Sequence, residues 1–389
     1  MAAPARRWTP SMADPRTRGL VIQGAMIAAL LALGAWFYSN LLANMAARGL
    51  TFGFAYLERP SNFAIGESLI PYAPTDPYGR AIVVGLLNTL RVAVIGIVLC
   101  TLLGVTLGVM RLSTNPLLSR LVGAYIEIVR NTPLLLQLFF WYAVINSLPR
   151  PREALSPLPG IFLSNRGFKV PWVEWTPDLW PVLWAFAAGL AATLVAGRWL
   201  ARHQERTGLR RPLWPFAVGF LVGLPLLAAL AMGWPVAFSM PELAGFNCRG
   251  GAMLTPEFAA LLIGLTLYTA AFVAEIVRGG IQSVGGGQWE AARSLGLPPG
   301  RIMRLVILPQ ALRVIIPPLT SQFLNLTKNS SLAVAIGYPD LVHVSNTTMN
   351  QTGQAVEAVV IFMSIYLALS LATSAFMNWY NARVAILER

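Results

Sequence analysis

Five ionisable side chains lie inside long apolar stretches of this 389-residue sequence: Arg91, Glu127, Arg130, Glu275 and Lys328. A charged group at membrane depth is costly, so each of them marks a functional position or needs a partner. Glu127 and Arg130 are three residues apart, and so are Glu275 and Arg278. Each pair can bond across one helical turn, or its members can join a network between helices. Both arrangements stay open at this point.

A second polar group crowds the middle of a later apolar segment. It consists of Asn325, Thr327, Lys328, Asn329, Ser330 and Ser331. We expect Pro317 and Pro318 to break this segment early, and Gly337 and Pro339 to end it. The polar run cannot face lipid, because its groups need partners that a wet, protein-lined cavity supplies. The alternative is that these small polar side chains hold one helix against another.

Several kinds of chemistry are absent from the sequence. It contains no glycine-rich phosphate loop followed by Lys and Ser or Thr, and no serine or cysteine nucleophile with a histidine partner. The two cysteines and two histidines form neither a disulfide framework nor a metal-ligand pattern. We therefore predict that the chain is not an enzyme and holds no cofactor or metal of its own.

The composition indicates a membrane protein with several spans. Hydrophobic residues make up 56% of the chain, charged residues only 12%, and the mean hydropathy is +0.61. A soluble domain is excluded, and the predicted fold is all-α with about eight transmembrane helices of about 1.5 Å rise per residue. The predicted spans are 20–47, 81–110, 121–147, 179–197, 213–236, 255–278, 311–336 and 355–380.

The net charge of +13 sets the predicted orientation. In a soluble protein such a charge would favour nucleic acid, but here the arginines fall in loops between apolar runs, so we predict no nucleic-acid partner. Numbered from a cytoplasmic N-terminus, the inner segments hold eighteen basic residues and the outer segments eight. The positive-inside rule then predicts that both termini are cytoplasmic.

The connection 287–309 has the composition of a helix, a turn and a second helix. Gln288 to Leu295 are helix formers, and Gly296 is placed as a C-cap glycine before Pro298. In the second half, Ile302, Leu305 and Val306 are expected on one face and Arg301 and Arg304 on another. Pro309 is expected to break this helix.

This connection resembles the EAA loop of permease subunits of ABC importers. The similarity rests on Glu290-Ala291-Ala292, then Gly296 after three intervening residues, and Val306-Ile307-Leu308-Pro309 after nine more intervening residues. Three other stretches are similar to the polar-amino-acid branch of that family: Ile126 to Leu135, Ala274 to Gly280 and Thr327 to Ala333. The resemblance covers residues 80–145 and 255–385, and the enlarged remainder is similar to permeases of general L-amino-acid importers.

The resemblance implies a type I importer permease of the bacterial inner membrane, which moves L-amino acids by alternating access. Its implied partners are a second similar permease, a cytoplasmic ABC ATPase dimer that binds ATP and Mg, a periplasmic amino-acid-binding protein and membrane lipid. The loop would seat in a cleft of the ATPase. The implied coupling residues are Glu290, Ala291, Ala292, Gly296, Arg301 and Pro309.

An L-amino-acid substrate would need both a cation and an acceptor in the pathway. Lys328 or Arg91 could meet its carboxylate, while Glu275 or backbone carbonyls meet its ammonium group. The predicted pathway residues are Arg91, Arg130, Glu275, Asn325, Lys328, Asn329 and Ser330.

The predicted domain organisation follows from the extent of the resemblance. It comprises a cytoplasmic tail (1–19), an extra anchor helix with a periplasmic loop (20–79), the first part of the permease core (80–145), an inserted periplasmic loop and helix pair (146–254) and the second part of the core (255–385). We expect the inserted helix pair at the periphery. The tryptophans of the external loop 146–178 favour an interfacial belt, with a docking surface for a soluble partner as the alternative.

Two other function classes fit the sequence less well. An ion-coupled secondary transporter would need no ATPase, but no convincing inverted repeat is present, and the coupling loop argues against it. A membrane-embedded enzyme or sensor would need a catalytic cluster or a soluble output domain, and the sequence contains neither.

Overall fold

The computed structural model describes residues 15–47, 53–173, 179–208, 211–234, 238–245 and 247–384. The described parts are mainly helical. The helices are α1 Pro15–Ala47, α2 Tyr78–Arg111, α3 Pro116–Asn131, α4 Leu134–Asn146, α5 Trp180–Thr207, α6 Trp214–Val218, α7 Leu224–Ala231, α8 Pro256–Gln282, α9 Gly286–Ser294, α10 Pro299–Ile302, α11 Leu308–Asn329, α12 Leu341–Thr352 and α13 Ala355–Val384. Most of the predicted tail lies outside the described residues, and α1 begins within it, at Pro15.

Seven helical segments are long and apolar enough to cross a membrane, and an eighth span is possible if the bent pair α3 and α4 counts as one. This agrees with the prediction of about eight. The predicted span 121–147 is not one continuous helix, because α3 and α4 meet at 107°. Thr132 has an extended backbone and Pro133 begins the next helix. A residue before proline is driven out of the helical region, which explains the break.

The inserted segment contains β-structure that the all-α prediction missed. Its strands are β1 Leu155–Leu158, β2 Ile161–Ser164, β3 Gly167–Val170, β4 Trp172–Val173, β5 Phe238–Ser239, β6 Glu242–Ala244, β7 Asn247–Arg249 and β8 Ala252–Leu254. A four-stranded sheet has the order β1-β2-β3-β8, and two-stranded ladders join β4 to β5 and β6 to β7. All pairings are antiparallel. The pairs β3–β8 and β4–β5 therefore fasten the two ends of the insertion together.

The chain forms two compact units. The first comprises Met1–Asn88 and Pro339–Leu369, and its core includes Ala81, Leu341 and Val344. Asp340 begins α12 within this unit, where its carboxylate accepts a 2.8 Å hydrogen bond from the His343 backbone N–H. Its side chain is fully buried, and burial raises the pKa of Asp340 to about 7.

The second unit comprises Thr89–Tyr338 and Ser370–Arg389, and α8 is its central helix. This helix packs against α3, α4 and α11. Close packing also requires glycine on α2, because a Cβ at Gly104 would lie 2.5 Å from the Val273 Cβ and 2.9 Å from the Ala270 carbonyl oxygen. Small residues let membrane helices approach closely, so α2 and α8 meet at backbone distance.

The inserted helices form a hairpin within the second unit. Helix α5 packs against α7 and against the π-helical turn Gly219–Gly223. At Gly189 an added Cβ would lie 2.1 Å from the Phe220 carbonyl oxygen. Only 6% of the apolar window of either span is buried, so most of the surface of these spans is exposed in this chain. This agrees with the expected peripheral position.

Two predicted helix breaks do not occur. Pro309 sits in the first turn of α11, where a missing N–H costs little, and the π-helical turn Met303–Ile307 leads directly into that helix. Pro317 and Pro318 lie inside α11 without ending it. Pro309 is therefore tolerated because of its position in the first turn, whereas α11 continues through Pro317 and Pro318. The predicted end at Gly337 is confirmed, because this glycine has a φ of 80°.

Candidate functional site

The connection between α8 and α11 has the predicted helix-turn-helix form. Helix α9 ends in a Schellman motif, in which the Gly296 N–H donates to the Arg293 carbonyl and the Leu297 N–H donates to the Ala292 carbonyl, at 2.8 and 3.3 Å. Gly296 has a φ of 72°, which favours glycine. The turn is therefore held by its own backbone.

One side of this loop is anchored in the core of the second unit. Ala292, Ile302 and Ile307 are at most 3% exposed, and Trp289 packs against the same cluster. The opposite side exposes Glu290 and Ala291, together with Leu295, whose exposed fraction is 79%. Within the described residues, the Glu290 carboxylate has no ion pair or hydrogen bond, so this side of the loop is available to contact another chain. The motif identified Glu290 and Ala291, but it did not identify Leu295.

The second half of the loop differs from its predicted face pattern. Leu305 was expected on the buried side with Ile302 and Val306, but it is 62% exposed and lies beside Arg301 and Arg304 in the lining of one cavity. The π-helical turn Met303–Ile307 explains the difference, since its wider turn rotates the side chains relative to an α-helix.

A second cavity, of about 580 Å³, opens between α3, α8 and α11. Its polar lining consists of Arg130, Glu275, Ser321 and Gln322, with Phe272, Ile276, Pro317 and Pro318 as the apolar part. Arg130 and Glu275 were both predicted as pathway residues, and the structure brings them together here. A cation and a carboxylate in one cavity match the two charges of a zwitterion.

The local pairing is confirmed for one of the two spaced pairs. Arg278 donates from Nε to the Glu275 carboxylate at 3.0 Å. The pairing of Glu127 with Arg130 is wrong. The Glu127 carboxylate is exposed and lies 4.0 Å from the Arg111 guanidinium. The Arg130 guanidinium instead lies 5.1 Å from the centre of the Phe272 ring.

Helix α11 carries an exposed stripe with helical spacing. Its members are Val314, Pro317, Pro318, Ser321, Asn325 and Lys328. Within the described chain, the Lys328 ammonium group forms neither an ion pair nor a hydrogen bond. Exposure of Asn325 and Lys328 to lipid would be costly on a membrane span.

The remaining predicted pathway residues lie apart from the cavity lining. Arg91 is half-buried, with its guanidinium carbon 4.0 Å from the centre of the Phe258 ring. Asn329 is half-buried, and Ser330 is buried with its hydroxyl donating to the Thr327 carbonyl at 2.8 Å. Ser330 therefore serves packing in this structure. The cavity residues Phe272, Ser321 and Gln322 were not predicted, because neither charge nor motif singles them out.

Comparison with known proteins identifies the chain at the level of family. The model of the family described as "Binding-protein-dependent transport system inner membrane component" matches residues 100–386. The chain belongs to this family. It is therefore a multi-pass inner-membrane subunit that works with other components of a transport system, and the predicted permease architecture is confirmed.

Three members of this family resemble the chain over nearly its whole length. The putative amino-acid ABC transporter permease protein YhdX of Escherichia coli is 49% identical over 385 residues, with 97% of each chain covered. The general L-amino acid transport system permease protein AapQ of Rhizobium johnstonii is 45% identical, with 97% of this chain and 95% of the relative covered. The glutamate/glutamine/aspartate/asparagine transport system permease protein BztB of Rhodobacter capsulatus is 40% identical, with 97% and 96% covered.

Proposed function

We propose that this family member is the permease subunit of an ATP-driven ABC importer that carries L-amino acids across the inner membrane. The observation that carries the proposal is the loop between α8 and α11, which is anchored by Ala292, Ile302 and Ile307 and exposes Glu290 and Leu295. An anchored loop with an exposed charge and an exposed apolar side chain suits a subunit contact that transmits force. The names of the similar permeases support the substrate class.

The loop joins two of the three helices that line the 580 Å³ cavity, which gives coupling a mechanical route. Phe272 and Glu275 belong to α8, and Ser321 and Gln322 to α11. A partner ATPase that binds ATP and Mg would pull on the loop when its dimer closes. Displacement of the loop would then move α8 and α11 together, and the cavity would alternate between outward and inward access.

In the substrate role we assign to this cavity, Arg130 receives the amino-acid carboxylate and Glu275 contributes the acceptor for the ammonium group. Glu275 already accepts from Arg278, so substrate would share that carboxylate. Charge-assisted hydrogen bonds of this kind are about twice as strong as neutral ones. They would also orient the substrate.

A second, similar permease is the proposed cover for the exposed stripe of α11. Asn325 and Lys328 would then line a wet space between two permeases, where polar groups find partners. Delivery by a periplasmic amino-acid-binding protein and cytoplasmic termini complete the arrangement. The cytoplasmic termini are inferred from the basic residues counted on the inner side. The binding protein is inferred from the transport-system family.

The test is uptake of a labelled mixture of L-amino acids by spheroplasts supplied with periplasmic extract, with and without this chain. The energy source is separated in two arms, one depleted of ATP with the ion gradient maintained, and the other treated with an ionophore while ATP is maintained. We expect the chain-dependent uptake to be lost only in the first arm. Uptake that survives ATP depletion and fails with the ionophore would instead establish an ion-coupled transporter.

A further inference from the structure

A cavity of about 690 Å³ lies between the inserted hairpin and the second half of the loop. Three arginines line it: Arg211 from the segment before α6, and Arg301 and Arg304 from the loop. No carboxylate is among its lining residues. Within the part of the chain that the structure describes, none of the three guanidinium groups has a hydrogen bond or an ion pair. Their positive charges therefore have no compensating partner among the described residues.

Apart from Gln204, the remaining wall of this arginine cavity is apolar. It includes Leu200, which is buried, and Leu213 and Leu305, which are 39% and 62% exposed. Leu200 lies in the last two turns of α5, and Leu213 immediately precedes α6. The cavity thus sits where two membrane spans meet their connecting segment, at the boundary between hydrocarbon and water. A basic group at this depth beside exposed leucines matches a ligand with an anionic head and a hydrocarbon tail.

We propose that the arginine cavity binds the phosphate group of an anionic phospholipid, with the acyl chains lying against Leu213 and Leu305. Arginine is suited to this role because its planar guanidinium donates two parallel hydrogen bonds to phosphate oxygens. Inorganic phosphate can accept the same hydrogen bonds, but it has no acyl chain to lie against Leu213 and Leu305. The bound lipid would link the hairpin α5–α7 to the loop.

The test measures lipid retention, which does not depend on transport or on an ATPase. The full chain is reconstituted in vesicles containing equal amounts of phosphatidylglycerol and phosphatidylcholine, repurified, and its retained lipids are quantified by mass spectrometry. The variant is Arg211→Gln, Arg301→Gln and Arg304→Gln combined. The matched control is Arg198→Gln, Arg202→Gln and Arg206→Gln combined, which removes the same charge from exposed positions of α5 outside the cavity.

We expect the unmodified chain to be enriched in phosphatidylglycerol. The cavity variant should lose about tenfold or more of that enrichment, because each basic residue near an anionic headgroup contributes about a factor of five. The control should retain it. Equal loss in both variants, or no loss in either, would overturn the proposal. If the triple variant does not fold, Gln204→Glu is measured in its place. This substitution adds a negative charge to the cavity lining, so it should also lower the enrichment in phosphatidylglycerol.

A final arm separates a headgroup from free phosphate. The chain is repurified in buffer containing inorganic phosphate in excess. Enrichment in phosphatidylglycerol should persist, because the acyl chains add affinity that phosphate lacks. Complete displacement by phosphate would overturn the lipid assignment.

Discussion

Glu290 is the exposed acidic group of the loop, and no described residue pairs with its carboxylate. We propose that this carboxylate contacts the ATPase. Glu290→Lys should therefore reduce amino-acid uptake by about tenfold or more, because reversing a charge in a subunit contact costs several kcal/mol. The measurements are uptake and the amount of folded chain in the membrane.

The control for this prediction is Glu205→Lys, which makes the same charge change at an exposed position near the end of α5. Uptake should be normal in that variant. Normal uptake with Glu290→Lys would remove Glu290 from the coupling mechanism.

Lys328 is the second residue with a prediction of its own. Because its ammonium group is exposed on a membrane span, we assign it to the pathway between two permeases. Lys328→Met should lower uptake by roughly tenfold while the chain still binds its ATPase, since one charged hydrogen bond contributes about 1.5–3 kcal/mol. The chain's other lysine provides the control, Lys169→Met, on strand β3. Unchanged transport kinetics in Lys328→Met would exclude the substrate role.

Asp340 gives the first unit a dependence on pH. Burial raises the pKa of this carboxyl from 3.8 to about 7, so the folded chain binds more protons than the unfolded chain between those values. Stability should therefore fall as the pH rises through this window, by at most about 1.4 kcal/mol per pH unit, and become constant above it. Burial lowers the pKa of the neighbouring His343, which acts in the opposite direction.

Comparison with Asp340→Asn isolates the contribution of Asp340, since asparagine still caps a helix. Thermal unfolding of the purified chain at about pH 5 and about pH 8 is the measurement. The unmodified chain should lose more stability between these two values than Asp340→Asn. Equal losses would show that the carboxyl is not perturbed.

At the scale of elements, the contact between α2 and α8 depends on two glycines, Gly104 and Gly108, whose added Cβ atoms would both overlap with α8. Gly104→Ala should gain about 1 kcal/mol of helix propensity, but its Cβ would overlap with Val273 and with backbone. Overpacking costs about 1–3 kcal/mol, so the net effect should be lower thermal stability. Gly24→Ala in α1 is the control, because no atom lies within 4 Å of its added Cβ, and it should be neutral or stabilising. Equal behaviour of the two variants would contradict the packing account.

Elements with strong local signals were predictable from the sequence. The end of α9 at Gly296 follows from a glycine with two prolines just beyond it, and the long spans follow from hydropathy. The strands of the insertion are only two to four residues long, too short for alternation to be read. Pro317 and Pro318 were misread because neighbouring packing decides whether a helix continues through proline.

The site was predictable where charge or a family motif marks a residue, as at Glu290, Arg130 and Glu275. It was not predictable where only the fold brings residues together. Ser321 and Gln322 enter the cavity through the face of α11 that meets α8, and Leu305 turns outward through a π-helical turn. No feature of the local sequence distinguishes these three residues.

At the scale of the whole molecule, a membrane location explains why so much of the surface is apolar. A contact with another chain explains why the stripe on α11 carries polar residues. Helices α5, α7 and α1 present leucines and aromatic residues to lipid, whereas α11 exposes Asn325 and Lys328. We propose that the loop and the exposed stripe of α11 contact other chains. Both belong to the second unit. This unit is therefore the proposed centre of the assembly.

The most direct measurement is isolation of this chain, tagged at its C-terminus, from its native membrane under conditions that preserve complexes. The bound proteins are identified, and ATP hydrolysis is measured with and without L-amino acids and periplasmic extract. The account predicts an ATPase and a second permease, with hydrolysis stimulated by extract and amino acid together. Recovery of this chain alone, without ATP hydrolysis, would contradict it.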